Sequence, residues 1–201
     1  MIVKNFILLV LTIFSVHLYA QEVFPNEVWH NGQIITNEDD TLKGKIMYNL
    51  ESDIVQYQTN KGTVETYTAR KVIYFEVFDE TVNRNRVFYS LLYDKTGSYE
   101  TLVIFEVLVK GNLTLLSREK VVPYVPKGGS PKNSTKKMVY DNYVLNESNS
   151  ITLLSTDKKT FIASMPGYQD RIKKYIKDNK LDVQKRSDLA RIIALYNSIS
   201  N

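Results

Sequence analysis

Between residues 28 and 78 the chain alternates apolar and polar side chains in short runs broken by turn residues. A period of two places successive side chains on opposite faces of a strand. Residues 21–27 read as an extended lead-in, because Pro25 disfavours a helix start around Phe24. Residues 28–36 then predict a first strand, and Asn37-Glu38-Asp39-Asp40 a turn. Residues 42–48 predict a second strand, with Leu42, Gly44, Ile46 and Tyr48 on one face and Lys43 and Lys45 on the other. Gly44 inside that strand points to a bulge, a bend or a close crossing by another backbone. After a turn at 49–53, residues 54–59 and 63–67 form a hairpin across Asn60-Lys61-Gly62. Residues 72–78 are apolar on both sides, which predicts a central strand covered on both faces.

Further along, 81–86 is polar, 87–93 alternates again, and Lys95-Thr96-Gly97-Ser98 is a turn. Residues 102–109 form the most apolar run after the N-terminus and return through Lys110-Gly111-Asn112 into 113–116. The stretch 123–137 holds three Pro, two Gly and four Lys and is expected to be a long mobile loop. A last hairpin joins 138–145 to 151–154. The period then changes. Residues 157–165 look helical, Tyr168, Ile172, Tyr175 and Ile176 recur at helical spacing, and Leu189, Ile192, Ile193, Tyr196 and Ile199 form an apolar stripe behind Ser187 as its expected N-cap. Helices this short are not stable alone in water and must pack on the sheet or on each other. The fold class expected is therefore mainly β with C-terminal helices (α+β): an antiparallel meander forming a curved sheet, roll or barrel, with two to three short helices packed against it.

Composition changes the picture at the two ends. Lys4 precedes the apolar run 6–16, and Ala20 precedes Gln21, the layout of a cleaved secretory signal over 1–20. An uncleaved anchor is the alternative, but the run underfills a bilayer. The chain has no Cys, so neither a disulfide nor a lipid-modified cysteine is available to it. Three segments are expected: the leader at 1–20, an antiparallel β domain at 21–156 carrying the loop 123–137, and a basic helical segment at 157–201. That last segment carries ten Lys or Arg against five Asp or Glu, whereas 21–156 carries fifteen against seventeen. The basic balance belongs to the helices. It could recruit acidic partners or anionic head groups, or serve only as a solvated helix face.

Candidate chemistry is sparse. Outside the leader there is one His, His30, and no thiol, which removes His-cluster zinc sites and cysteine nucleophiles. No phosphate loop, dinucleotide fingerprint or calcium loop is present. The turn Glu38, Asp39 and Asp40 could bind Ca²⁺ or be simply solvated. No cofactor is expected, and the chain reads as a non-enzyme. Fourteen Tyr is the notable usage, several of them alternating along strands. Tyr suits both half-buried sheet faces and wet interfaces. The candidate interaction surface is Tyr48, Tyr57 and Tyr67, the loop lysines Lys127 and Lys132, and the helix lysines Lys173, Lys174 and Lys177.

The leader, the strand opening Leu42-Lys43-Gly44-Lys45-Ile46, the run Val72-Ile73-Tyr74-Phe75 and the closing stretch from Asp188 to Asn197 resemble uncharacterised exported β-rich proteins of Bacteroidota. That resemblance implies a Gram-negative envelope location and brings no assigned activity or site. A looser likeness is to lipocalins, through the leader, a Trp near the first strand, antiparallel strands and a late helix. Here Trp29 precedes Gly32, whereas the lipocalin opening has Gly before Trp. The expectation is a non-catalytic exported protein of the periplasm, outer-membrane surface or exterior. It would act as a protein-interaction or structural module with another envelope protein as partner, peripheral contact with an anionic surface, no nucleic acid, and no transmembrane segment once the leader is removed. Two alternatives stand beside it: a small-ligand carrier with a lipocalin-like barrel, and a carboxylate-based hydrolase.

Overall fold

A computed structural model describes residues 23–94, 97–130, 132 and 134–200. The predicted leader, 1–20, lies outside them. The strands are β1 (His30–Thr36), β2 (Thr41–Asn49), β3 (Ile54–Gln58), β4 (Val64–Thr68), β5 (Val72–Asp79), β6 (Arg84–Asp94), β7 (Glu100–Val109), β8 (Thr114–Tyr124), β9 (Thr135–Leu145) and β10 (Ile151–Leu153). Three helices follow: α1 (Lys158–Ala163), α2 (Gln169–Asp178) and α3 (Arg186–Ile199). All ten strands form one open antiparallel sheet in the order β10-β9-β8-β7-β6-β5-β1-β2-β3-β4. The expected class, mainly β with C-terminal helices, is what the structure shows.

Two corrections concern the first strand. The lead-in is not fully extended: Pro25–Glu27 makes one 3-10 turn with Pro25 in its first position, where its fixed φ and missing N–H cost nothing. The strand proper begins at His30. β1 is then sandwiched between β2 and β5, with Gly32 opposite Gly44 of β2 and Val77 of β5. A Cβ at Gly32 would sit 2.1 Å from the carbonyl oxygen of Glu76, and one at Gly44 would sit 2.9 Å from the ring of Tyr57. Of the alternatives read from Gly44, the close crossing is the one seen, with the Gln58 carbonyl oxygen of β3 3.1 Å from that Cβ position. The glycine pair lets β1–β5 curl tightly around Ile34, Ile46, Val55, Phe75, Phe88 and Ile104, all fully buried.

β7 is the strand covered on both faces, because Val103, Ile104, Phe105 and Glu106 are all buried. β5, expected to have that role, lies inside the sheet but buries one face only, leaving Ile73 and Phe78 exposed. Ile104 points into the β1–β5 curl. Val103 and Phe105 point the other way, where Phe105, Tyr93 and Tyr143 meet edge to face with centroids 5.1–5.6 Å apart. Contact between Tyr93 of β6 and Tyr143 of β9 requires the sheet to fold over β7 on that side. Burial, with the nearby Asp141 charge, pushes the Tyr143 hydroxyl up to about 12.

The second half of the sheet is forked. β8 pairs with β7 only from Leu115 to Ser117, with an irregularity between Val107 and Val109. Beyond Ser117 it leaves β7 and pairs with β9 alone, through Tyr124 opposite Thr135. The turn between β2 and β3 fills the fork. Asp53 there has φ of 54°, the left-handed region Asp tolerates. Its carboxylate accepts the Ile104 N–H at 2.8 Å and Arg118 Nη1 at 2.6 Å. Arg118 Nη1 also donates to the Ile104 carbonyl at 2.5 Å, and Nη2 donates to the Leu50 carbonyl. Side chains thus satisfy backbone groups on β7 that have no ladder partner, as buried polar groups require.

The expected loop 123–137 is accordingly shorter. Pro123 and Tyr124 belong to β8, and Thr135, Lys136 and Lys137 to β9. Pro123 is tolerated because β7 is absent beside it, so its missing N–H breaks no ladder. The helices lie on the β8–β9 side: Leu115 and Val144 pack with Phe161, Ile172, Ile176, Leu189, Ile192 and Ile193. Asp157 caps α1 by accepting the Thr160 N–H at 2.8 Å. Ser187 does not cap α3, which starts at Arg186, because Asp188 holds the preceding turn by accepting the Asp182 N–H at 3.0 Å.

Asp53→Ala removes the group that closes the fork and leaves Arg118 buried without its carboxylate. It should cost about 3 kcal/mol, the penalty for breaking a buried pair, read as a lowered urea midpoint with an unchanged denaturant slope.

Candidate functional site

Sequence chemistry missed the most polar part of the interior. At the ends of the inward-facing rows that fill the curl, the apolar side chains give way to charged ones: Val77 to Asp79 on β5, Phe88 to Arg86 on β6, Ile104 to Glu106 on β7. Arg86 lies at the centre, 2 % exposed. Its Nη1 donates to Asp79 at 3.0 Å and to the Tyr48 hydroxyl at 2.5 Å. Its Nε and Nη2 grip Glu106 at 3.0 and 2.6 Å, and Nη2 also reaches Glu119 at 2.7 Å. Tyr48 donates onward to Glu119 at 2.9 Å. Arg84 reaches Glu106 from the rim at 2.8 Å, and Arg186 of α3 reaches it from the helix layer. His30 closes one side, stacked on Tyr48 with its Nδ1 4.0 Å from Asp79.

Three carboxylates thus meet three guanidiniums. Burial alone would push Glu106 up; the charge and hydrogen bonds of Arg86, with Arg186 and Arg84, outweigh it and hold the carboxyl below its usual range. Burial likewise pushes Asp79 up, and hydrogen bonds from Thr81 and Arg86 pull it below. Burial and the adjacent carboxylates drive the Tyr48 hydroxyl well above its ordinary value, against the pull of Arg86. Asp79 and Glu106 are thereby held ionised and Tyr48 neutral at neutral pH, and each is spent on an internal partner. Glu106 and Glu119 share one guanidinium nitrogen, so the arrangement locks two carboxylates as acceptors. Among the described residues no group of three or more His, Asp or Glu side chains is placed to hold a metal ion.

The candidate surface residues separate. Tyr48 and Tyr57 are not on an open face: at 1 % and 9 % exposure they point into the curl. Tyr57 donates to the Lys43 carbonyl at 3.2 Å. The curl turns the row that alternates through β2 and β3 inward, which corrects the expectation for both. Tyr67 stays half-exposed on the edge strand β4, its hydroxyl donating to Glu65 at 2.7 Å, and that hydrogen bond pushes it up to about 12. On α2, Lys173 pairs with Asp170 at 3.1 Å and Lys174 with Asp178 at 2.7 Å, while Lys177 is exposed. The i,i+3 and i,i+4 spacing spends two of the three lysines on acids of their own helix.

Lys127 and Lys132 sit elsewhere, at the tip of a projecting arm. Past the fork, β8 and β9 pair only with each other, so the described residues of 118–142 form a two-stranded hairpin that leaves the sheet. Between residues 120 and 137 it carries five lysines and no Asp or Glu. Every described residue from 123 to 137 is exposed, and Tyr124 and Val125 add apolar surface at 42 % and 41 % exposure. Lys137 lies 5.3 Å above the Tyr124 ring, and Lys136 is steadied by Glu27 at 3.1 Å. The arm brings Lys127 and Lys132 together with Lys120, Lys136 and Lys137 on one basic hairpin. Of the surface candidates it is the one with geometry to match.

Arg86→Met leaves Asp79 and Glu119 buried without their guanidinium, Glu106 keeping Arg84 and Arg186, and should cost about 3–5 kcal/mol in denaturant melts. Arg84→Met, at a site 42 % exposed, should cost under about 1 kcal/mol. The lowered carboxyls also set a pH dependence. The unfolded chain takes up protons first as pH falls, so the stability contributed by Asp79 and Glu106 is complete above their ordinary values of about 4 and is lost as pH drops through the lower folded values. A urea-midpoint profile should be level down to about pH 5 and then fall, and Glu106→Gln should make that acid limb shallower.

No protein-family model, curated protein or solved structure matches this chain in comparison.

Proposed function

We propose that the chain is a non-catalytic exported protein of the cell envelope that works as a protein-interaction or structural module, with the β8–β9 arm as its contact element. One observation carries this reading: the arm leaves the body of the sheet, and its outer part, 120–137, has five lysines and no Asp or Glu and exposes an aromatic and an aliphatic side chain beside them. A hairpin held only by its own ladder is marginal by itself. This one is anchored at its base by Glu119 and Arg118, both tied into the buried networks. Its chemistry suits an acidic face on another envelope protein, where lysines steer the encounter and Tyr124 and Val125 supply apolar contact.

Export rests on the leader layout. No helix among the described residues is long and apolar enough to cross a membrane. The carrier reading calls for a closed barrel with an internal cavity, and this sheet is open with its curl filled by side chains. The hydrolase reading calls for two carboxyls facing a cleft, and Glu106 and Glu119 face Arg86 instead.

The test is capture of the tagged protein from native envelopes, with co-purifying proteins identified by mass spectrometry. Lys127→Glu, Lys132→Glu and Lys137→Glu together should abolish recovery of the partner while leaving the thermal midpoint unchanged. Salt should weaken the wild-type capture, since exposed charges are screened within about 10 Å at 0.1 M. Recovery of a lone monomer, or undiminished capture by the triple variant, contradicts the reading.

A further inference from the structure

The open sheet ends in β10 on one side and β4 on the other. β10 is three residues long, and the chain leaves it for the helices. β4, Val64-Glu65-Thr66-Tyr67-Thr68, is rich in β-branched and aromatic residues and exposed throughout, except for half-buried Tyr67. It pairs with β3 along one side. The Thr59 N–H donates to the Thr63 carbonyl at 2.9 Å and the Ala69 N–H to the Asp53 carbonyl at 3.1 Å, which fixes the phase of that ladder. Thr63, Glu65, Tyr67 and Ala69 turn their backbone groups toward β3, so the N–H and C=O of Val64, Thr66 and Thr68 point out of the sheet. Sheet edges are ordinarily blunted by Lys, Pro, a bulge or a covering segment. β4 holds neither Lys nor Pro, its register with β3 is unbroken, and among the described residues no strand pairs with its open side.

We propose that this edge pairs with the same edge of a second copy of the chain, joining the two about a two-fold axis into one continuous antiparallel sheet. The sequence of β4 is complementary to itself in one register. With Thr66 opposite Thr66 of the second copy, Val64 falls opposite Thr68, and each of these opposed pairs exchanges two backbone hydrogen bonds. All the outward backbone groups are then used. On the face toward the curl, Glu65 lies opposite Tyr67 of the second copy, so the carboxylate meets a phenol and not its own counterpart. Tyr67 already donates to Glu65 within one chain at 2.7 Å, so the two side chains are compatible in contact. Other registers are worse. A slip of one residue sets outward backbone groups against groups already bonded to β3. A slip of two residues one way opposes Glu65 to Glu65, which is unfavourable, and the other way leaves Val64 beyond the end of the facing strand. The two-fold pairing is closed and stops at the dimer. Pairing β4 with β10 of another copy would run on into rows, and β10 turns the backbone of only Ile151 and Leu153 outward. A contact of five residues a side makes the dimer weak and reversible. β4 lies across the strand order from the β8–β9 arm, so this pairing goes beyond the interaction reading and either can fail without the other.

The experiment is sedimentation velocity of the purified protein from micromolar to millimolar concentration, with amide hydrogen exchange followed by NMR at the two ends of that range. A concentration-dependent monomer–dimer equilibrium is expected, with no larger species. The amides of Val64, Thr66 and Thr68 should slow several-fold at the high concentration, while those of Glu65 and Tyr67, already bonded to β3, change little. Thr66→Pro removes the N–H at the two-fold axis from an edge position where Pro is tolerated, and should leave a folded monomer. Thr66→Lys sets two cations against each other at the axis and gives a second readout should Thr66→Pro fail to fold; it should weaken the dimer several-fold. The proposal is overturned if the protein stays monomeric throughout, if larger species grow in place of a dimer, or if a folded variant of either kind dimerises as wild type does. It is overturned equally if the outward amides exchange alike at both concentrations, or slow only when a different envelope protein is bound.

Discussion

The structure depends on the buried guanidinium of Arg86. A lone charge in a protein interior is prohibitively costly, so this side chain is tolerable only where enough acceptors surround it. They come from Asp79 on β5, Glu106 on β7, Glu119 on β8 and Tyr48 on β2, and Arg186 on α3 completes the charge balance on Glu106. Five strands and a helix must be in register at once. A slip of one residue in any of these strands would turn its cluster side chain to the opposite face and strand the others. Such a cluster adds little net stability compared with a well-packed apolar equivalent. Its effect is to penalise other arrangements of the strands, and to join the core under the curl to the core under the helices.

A second buried arginine shapes what the surface can do. Arg118 and Asp53 take over the backbone groups of Ile104, which frees β8 from β7 and sends it outward with β9. The arm, the surface with the clearest interaction chemistry, is thus a product of the fork. Fold and candidate function meet at Glu119, Tyr140 and Arg186, which bind the base of the arm to the central charges.

Much of the architecture was legible in the chain. The alternation from Ile54 to Thr68 marks the β3–β4 hairpin, and the stripe from Leu189 to Ile199 marks the last helix. Local pattern was less informative where partners are distant. Arg84 and Arg86 read as a polar loop because Glu106 and Glu119 lie some 20 to 33 residues further on. Lys136 and Lys137 read as loop because a strand paired on one side only has no apolar row to reveal it. Tyr48 and Tyr57 read as surface because the curl that buries them comes from the opposed Gly32 and Gly44. One signal was available: Glu106 is the only charge inside the apolar run from Leu102 to Val109, and a carboxylate in such a setting requires a cation.

The central claim is that the Arg86 cluster makes the curled half and the helix-covered half a single cooperative unit. Native-state hydrogen exchange across a series of sub-denaturing urea concentrations tests it directly. The slowest amides of Phe75 and Ile104, under the curl, and of Ile192 and Ile193, in α3, should converge on one opening free energy with the same urea dependence. Opening of the α3 amides at a distinctly lower free energy and with a smaller urea dependence, while the curl stays protected, would show two separable units and contradict the account.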